Sequence, residues 1–141
     1  GARAWELVAE QWPALARSLI MRRQVFLVEA HMLRGRAALA AGHVAAAARD
    51  AKRIEREGVA WATGLARLLR AGVAASSGDR EGAARLLDEA AEGLAAHDMG
   101  LYAAAARRRR GRVDEADAWM RDQGIRNPER MTAMLAPGVW E

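Results

Sequence analysis

Apolar residues recur along this chain at the three- and four-residue spacing of α-helices, and short glycine turns interrupt them. The clearest turns lie at Gly42, Gly78 and Gly111. After each turn the apolar positions return as one stripe of a helix, and strict alternation is absent. This pattern predicts an all-α protein without a sheet. The three stripes are Ala47, Ala48, Ala51 and Ile54; Ala83, Ala84, Leu87 and Ala90; and Ala116, Trp119, Met120 and Gln123.

The turn glycines are regularly spaced, 36 and 33 residues apart. These distances bracket the period of about 34 residues that is typical of tetratricopeptide repeats. A small residue recurs at matching places in both helices of each repeat, where two helices of a hairpin approach closely. We therefore predict antiparallel helical hairpins stacked as a short tetratricopeptide-like α-solenoid. The small residues are Gly35, Ala71 and Ala104 in the first helices and Ala47, Ala83 and Ala116 in the second.

The pattern divides 1–141 into consecutive segments of one helical-repeat domain. Asp79 and Asn127 are predicted N-caps, and Pro128 suits a first helical position. Pro13 is expected to bend or break the leading helix. The segments are a leading helix (2–18), repeat one (20–57, helices 20–41 and 43–57), repeat two (59–96, helices 60–77 and 79–96), repeat three (98–123, helices 98–110 and 112–123) and a C-terminal helix and tail (125–141, helix 128–135).

Composition narrows the class of protein. The chain is 52% hydrophobic but only 5% aromatic, because alanine supplies most of the apolar total, and this favours closely packed helices. It has no cysteine, which excludes disulfides and thiolate metal sites. No apolar run approaches the roughly 20 residues of a membrane span. The start, Gly1-Ala2-Arg3, is neither an initiator Met nor a signal peptide, so we expect a piece of a larger protein.

Several stretches resemble the C-terminal helical-repeat region of large bacterial serine/threonine protein kinases of the myxobacterial type. That resemblance implies a cytoplasmic signalling protein with a separate kinase domain and a C-terminal repeat array. One departure is the very short turn between Arg110 and Val113, where related chains are expected to carry a longer loop. The matching stretches are VEAHMLRGRAALAAG (28–42), ARDAKRIEREGVAW (48–61), LARLLRAGVAASSGD (65–79), DMGLYAAAARRRRG (98–111) and ADAWMRDQGIRNPERMTAMLAPG (116–138).

The machinery of a kinase or nucleotidase does not occur in the chain. It has no HRD, DFG or Walker A sequence, and these parts hold Mg²⁺ and orient the nucleophile in phosphoryl transfer. His31, His43 and His97 lack helix-spaced partners that could hold a metal. We therefore predict a protein that is not an enzyme and carries no cofactor or metal.

Charged clusters have structural explanations that compete with functional ones. Arg107–Arg110 are consecutive helical residues and point around the whole helix. We therefore expect them to interact favourably with the dipole at a helix C-terminus rather than form one anion patch. Asp114, Glu115 and Asp117 occupy a first turn, where acids are favoured, and are expected to face the arginines. The net charge of +4 permits a nucleic-acid-binding domain as the alternative function, but acids interleave with the arginines.

The concave face of a repeat array is the usual binding surface. The tetratricopeptide register places apolar residues in the middle of this face and arginines at its edges. We therefore predict a protein or peptide partner, or another domain of the parent chain, with acidic flanks. Trp140 lies beyond the last predicted helix and is either a docking anchor or a flap on the last hairpin. The candidate groove residues are Glu29, Met32, Arg36, Leu39, Leu65, Leu68, Leu101, Arg108 and Arg109, with Ala40, Gly72, Ala75, Ser76, Asp98 and Ala105 beside them.

Overall fold

A computed structural model describes residues 1–140 and contains only helices and turns in that range. The all-α prediction is therefore confirmed for the described residues. The α-helices are α1 (Ala2–Arg17), α2 (Gln24–Ala40), α3 (Val44–Glu55), α4 (Ala60–Ser76), α5 (Arg80–Ala95), α6 (Gly100–Arg109), α7 (Val113–Asp122) and α8 (Pro128–Leu135).

The predicted turn chemistry is present. Gly42, Gly78 and Gly111 have φ of 80°, 81° and 98°, the left-handed conformation that ends a helix and that glycine adopts without steric strain. The side chain of Asp79 accepts a hydrogen bond from the Gly82 amide, and that of Asn127 accepts one from the Arg130 amide. These caps satisfy amides that have no partner within the helix.

Two details at the N-terminal end differ from the sequence-based expectation. Helix α2 begins at Gln24 rather than at residue 20, because Ser18 is extended and Leu19–Arg22 form a short 3-10 turn. Helix α1 runs through Pro13 without a break. Proline has no amide hydrogen, so one carbonyl of the preceding turn lacks its helical hydrogen bond. Pro13 is exposed, so water can reach that carbonyl.

Each helix packs against the next one along the chain, and two further contacts connect alternate helices, α2 with α4 and α6 with α8. The buried core runs from α2 to α8, whereas α1 contributes no buried residue. All six small residues predicted at close helix contacts are buried: Gly35, Ala47, Ala71, Ala83, Ala104 and Ala116.

Enlarging the small residues should destabilise the fold. Ala47 and Ala83 are 0% and 4% exposed, so a leucine at either position must push its helix away from the neighbouring one. We expect Ala47→Leu and Ala83→Leu each to lower the free energy of unfolding by about 1–3 kcal/mol. Thermal denaturation measures the loss, with Ala45→Leu as the matched control on the exposed side of α3. Equal melting temperatures for all three variants would contradict the close packing.

Candidate peptide-binding face

Four of the nine candidate groove residues are buried in the core. Met32 and Leu65 are fully enclosed, and Leu39 and Leu68 are 5% and 2% exposed. Their assignment to an open groove is corrected here. In a chain whose other interior residues are mostly alanine, the few large aliphatic side chains are needed to fill the space between helices.

Of the remaining candidates, Glu29 is exposed and Leu101 is half-buried. Arg108 is also half-buried, but it donates from Nε to Oδ1 of Asp117 on α7 at 2.7 Å. This ion pair lies within the α6–α7 hairpin, so Arg108 already has a carboxylate partner in the structure. Which of several consecutive arginines faces a given neighbour depends on the side chains that surround the helix.

The arginine run divides among four different neighbours, as consecutive helical residues should. Arg107 lies 3.8 Å from Glu115, and Arg110 donates to Asp88 on α5 at 2.9 Å. Arg109 donates from Nε to the backbone oxygen of Ala136 at 2.9 Å. The run is therefore not one anion-binding patch, and two of the three acids expected to face it, Glu115 and Asp117, pair with it.

The C-terminal tail, residues 136–140, lies against α4 and α6, and the surface formed there with the neighbouring part of α2 is called the α2–α4–α6 face. Gly72 on α4 makes the approach possible, since a side-chain carbon there would lie 2.6 Å from Leu39 and 2.9 Å from the Pro137 oxygen. Pro137 is buried, and Gly138 comes close to the Gly72 backbone. Leu39, Gly72 and Arg109, which the sequence register assigned to the concave face, thus lie beside the tail and are covered by it.

Two hydrogen bonds join the tail to the helices, and a third closes the tail on itself. The Val139 amide donates to the Ser76 hydroxyl at 3.4 Å, and Arg109 bonds the Ala136 oxygen. The Trp140 ring folds back so that its Nε1 donates to the same oxygen at 3.1 Å, and the Arg109 guanidinium lies 5.2 Å from the ring centre. The two readings of Trp140 stay open, but its ring is half-buried against Arg109.

Beside the tail a cleft of about 210 Å³ remains open. Its walls come from α4, α5, α6 and the tail, including Ala75, Leu87, Val139 and Trp140. Burial lowers the pKa of Arg109, and the charge of Arg108 lowers it further, although Glu129 acts in the opposite direction. An anionic group near Arg109 would therefore be favoured electrostatically.

Arg36 lies on α2, one helical turn before Leu39. Its Nε is buried and makes no hydrogen bond among the described residues. Tyr102 on α6 is close enough for its pKa to respond to the charges on α2. Burial raises that pKa, Arg36 lowers it, and Glu29 raises it. Arg36 is thus a positively charged group on this face whose donor capacity is incompletely used.

The half-buried arginines among the described residues differ in whether a carboxylate lies nearby. Six of them pair with a carboxylate within 4.0 Å, whereas Arg36 and Arg109 do not. Both exceptions belong to the candidate groove. Partly desolvated guanidinium groups without a counter-charge favour an incoming acid.

A second polar cluster was missed by the sequence reasoning. Asp50 on α3 is fully buried and accepts from His31 Nδ1 at 2.6 Å and from Arg34 Nε at 3.0 Å. The Arg34 guanidinium lies 3.8 Å from the centre of the Trp12 ring, and His31 meets the same ring edge-on. The signal was an acid beside the apolar stripe of α3, directly before Ala51. This cluster connects α1 to the core.

Within residues 1–140, no group of three or more His, Cys, Asp or Glu side chains is placed to hold a metal. None of the helices described has both the length and the apolar character needed to cross a membrane. The chain matches no protein-family model, no curated protein and no solved structure.

Proposed function

We propose that this chain is a protein-interaction module that binds a peptide segment on the α2–α4–α6 face. In this proposal the helices form tetratricopeptide-like hairpins stacked as a short α-solenoid, with α2, α4 and α6 as the first helices of three repeats. The left-handed turn glycines at a nearly constant spacing support it. So do the contacts between α2 and α4 and between α6 and α8, because alternate helices touch in such arrays.

The observation that carries the proposal is that, among residues 1–140, no carboxylate lies within 4.0 Å of Arg36, whose Nε is buried without a hydrogen bond, or of Arg109, which bonds only a backbone oxygen. A peptide with an acidic residue would supply the missing counter-charge in a partly desolvated place, where a charge-assisted hydrogen bond is strong. The resemblance to the repeat region of bacterial serine/threonine kinases favours a cytoplasmic signalling role. The partner is then another protein or another domain of the parent chain, and the segment performs no catalysis itself.

Selection of random displayed peptides against the chain tests the proposal. We expect enrichment of peptides that combine acidic and apolar residues. Arg36→Ala and Arg109→Ala should each weaken an enriched peptide by roughly tenfold or more, the size expected for arginines at the centre of an interface. Fluorescence anisotropy gives the dissociation constants. Arg107→Ala is the matched control on α6, because Arg107 points toward Glu115 instead, and an exposed pair contributes little.

Duplex DNA in the same assay distinguishes the alternative function, a basic nucleic-acid-binding domain. Counterion release would make DNA binding fall log-linearly as salt rises. Equal losses for Arg36→Ala, Arg107→Ala and Arg109→Ala, together with appreciable DNA binding at low salt, would replace the peptide-binding proposal with that alternative.

A further inference from the structure

The tail contacts have the form of a bound peptide ligand, and we infer that residues 136–140 occupy the site of a partner's proline- and aromatic-containing turn. This inference rests on the proposed function and makes it more specific. A partner peptide would bind by displacing the tail. The groove would then be self-occupied until a competing segment arrives.

The first argument is the kind of group that the face recognises. Arg109 and Ser76 bond backbone atoms of the tail, the Ala136 oxygen and the Val139 amide. Backbone atoms are common to every peptide, so these contacts would serve a segment of another protein equally well. Recognition through the main chain, with a pocket for one side chain, is a general mode of peptide binding.

The second argument concerns shape. Gly72 leaves room for the Pro137 oxygen at a place where any side chain would collide with it. Gly138, with φ of 141°, turns the chain so that Trp140 returns over Arg109. The surface under the tail therefore fits a small residue, a proline, a tight turn and then an aromatic ring. An aromatic ring over a guanidinium is an attractive pair of the cation–π kind.

The third argument is energetic. The tail follows α8 directly, so its effective concentration at the face is of the order of millimolar, as for short linkers. A modest intrinsic affinity is enough to keep it docked. Its polar contacts engage Arg109 and Ser76, and within residues 1–140 nothing bonds the buried Nε of Arg36. A partner that offers the same turn together with an acidic residue for Arg36 would make one more charge-assisted contact than the tail, and so it could displace the tail.

The test uses the full chain with a released tail, Gly138→Val combined with Trp140→Ala. The valine is strained at positive φ, and its Cβ would lie 3.4 Å from Gly72 and 3.3 Å from the Trp140 ring nitrogen position. The alanine removes the ring from Arg109. Neither change alters the α2–α4–α6 face. The probe is a synthetic peptide of residues 136–140, added to isotope-labelled protein and followed by the NMR shifts of the Gly72 and Ser76 amides.

We expect the released-tail chain to bind this peptide at least about tenfold more tightly than the wild-type chain, a difference of about 1.4 kcal/mol in binding free energy. Adding Arg109→Ala to the released-tail chain should weaken binding by roughly tenfold, whereas adding Arg107→Ala should leave it unchanged. Hydrogen exchange of the Val139 amide should be slow in the wild-type chain and fast in the released-tail chain.

Equal peptide affinities for the wild-type and released-tail chains would overturn the inference. So would an unprotected Val139 amide in the wild-type chain, or one that stays protected after release. Peptides enriched from the random library separate this failure from that of the proposed function. If they bind both chains equally and still depend on Arg36 and Arg109, the module binds peptides but its tail does not compete.

Discussion

Leu65→Ala should lower the free energy of unfolding by about 2–5 kcal/mol. Leu65 is fully buried on α4, a helix that packs against α2, α3 and α5, so the removed atoms leave a cavity bordered by several helices. Alanine makes up more than half of the buried core cluster, so few long side chains can move into the space. The cost therefore combines the lost apolar burial with a cavity that closes poorly. Urea denaturation followed by circular dichroism measures it.

Leu19→Ala provides the matched control, because the Leu19 side chain is 71% exposed in the short turn before α2. Its effect should stay within about 0.5 kcal/mol. The comparison also decides the role of Leu65. A groove residue would leave the stability nearly unchanged and impair peptide binding, whereas a core residue destabilises the whole chain. Similar unfolding free energies for Leu65→Ala and the wild-type chain would indicate that Leu65 lines the groove and is not a core residue.

Asp50→Ala should destabilise the protein by about 2–4 kcal/mol. The carboxylate is fully buried and bonds both His31 and Arg34. Its removal therefore leaves two partly buried polar groups without their hydrogen-bond partner. Breaking a fully enclosed ion pair costs about 3–5 kcal/mol. A smaller value is expected here because Arg34 is 17% exposed and can gain some hydration. Thermal and urea denaturation give the change.

Loss of Asp50 should also loosen α1. This helix has no buried residue, and its Trp12 rests on the two side chains that Asp50 holds in place. Hydrogen exchange in α1 should therefore accelerate more than exchange in α5. Glu89→Ala is the control, because the Arg67 and Glu89 side chains are 38% and 42% exposed and such a solvated pair contributes at most about 1 kcal/mol. If Asp50→Ala and Glu89→Ala had equal effects, the buried cluster would be no more important than a surface pair.

The helices were predictable because their signals are local. The bounds of α8 agree with the sequence-based helix over 128–135, where an Asn cap and a proline fix the start. Glycine turns placed most of the other ends within a few residues. The start of α2 was not predicted, since no side chain caps it, and its first residue depends on how the turn after α1 packs.

The candidate face was predicted only in part. The repeat register placed Leu39, Gly72 and Arg109 at matching positions of three successive first helices, and in the structure all three lie beside the tail. It could not distinguish a lining residue from a core residue, so Met32, Leu65 and Leu68 were placed on the wrong side of that boundary. Periodicity gives the direction of a side chain, but its burial depends on the next helix.

The sequence by itself therefore determined the helical class, the turn positions, the caps and the small residues at close contacts. These depend on backbone conformation and on interactions within a few residues. Only the tertiary structure decided which arginines have carboxylate partners, that Asp50 joins His31 and Arg34, and that the tail returns to Gly72 and Ser76. The tail contact with Ser76 spans 63 residues of chain. No local pattern encodes such a contact, because it depends on how all the intervening helices pack.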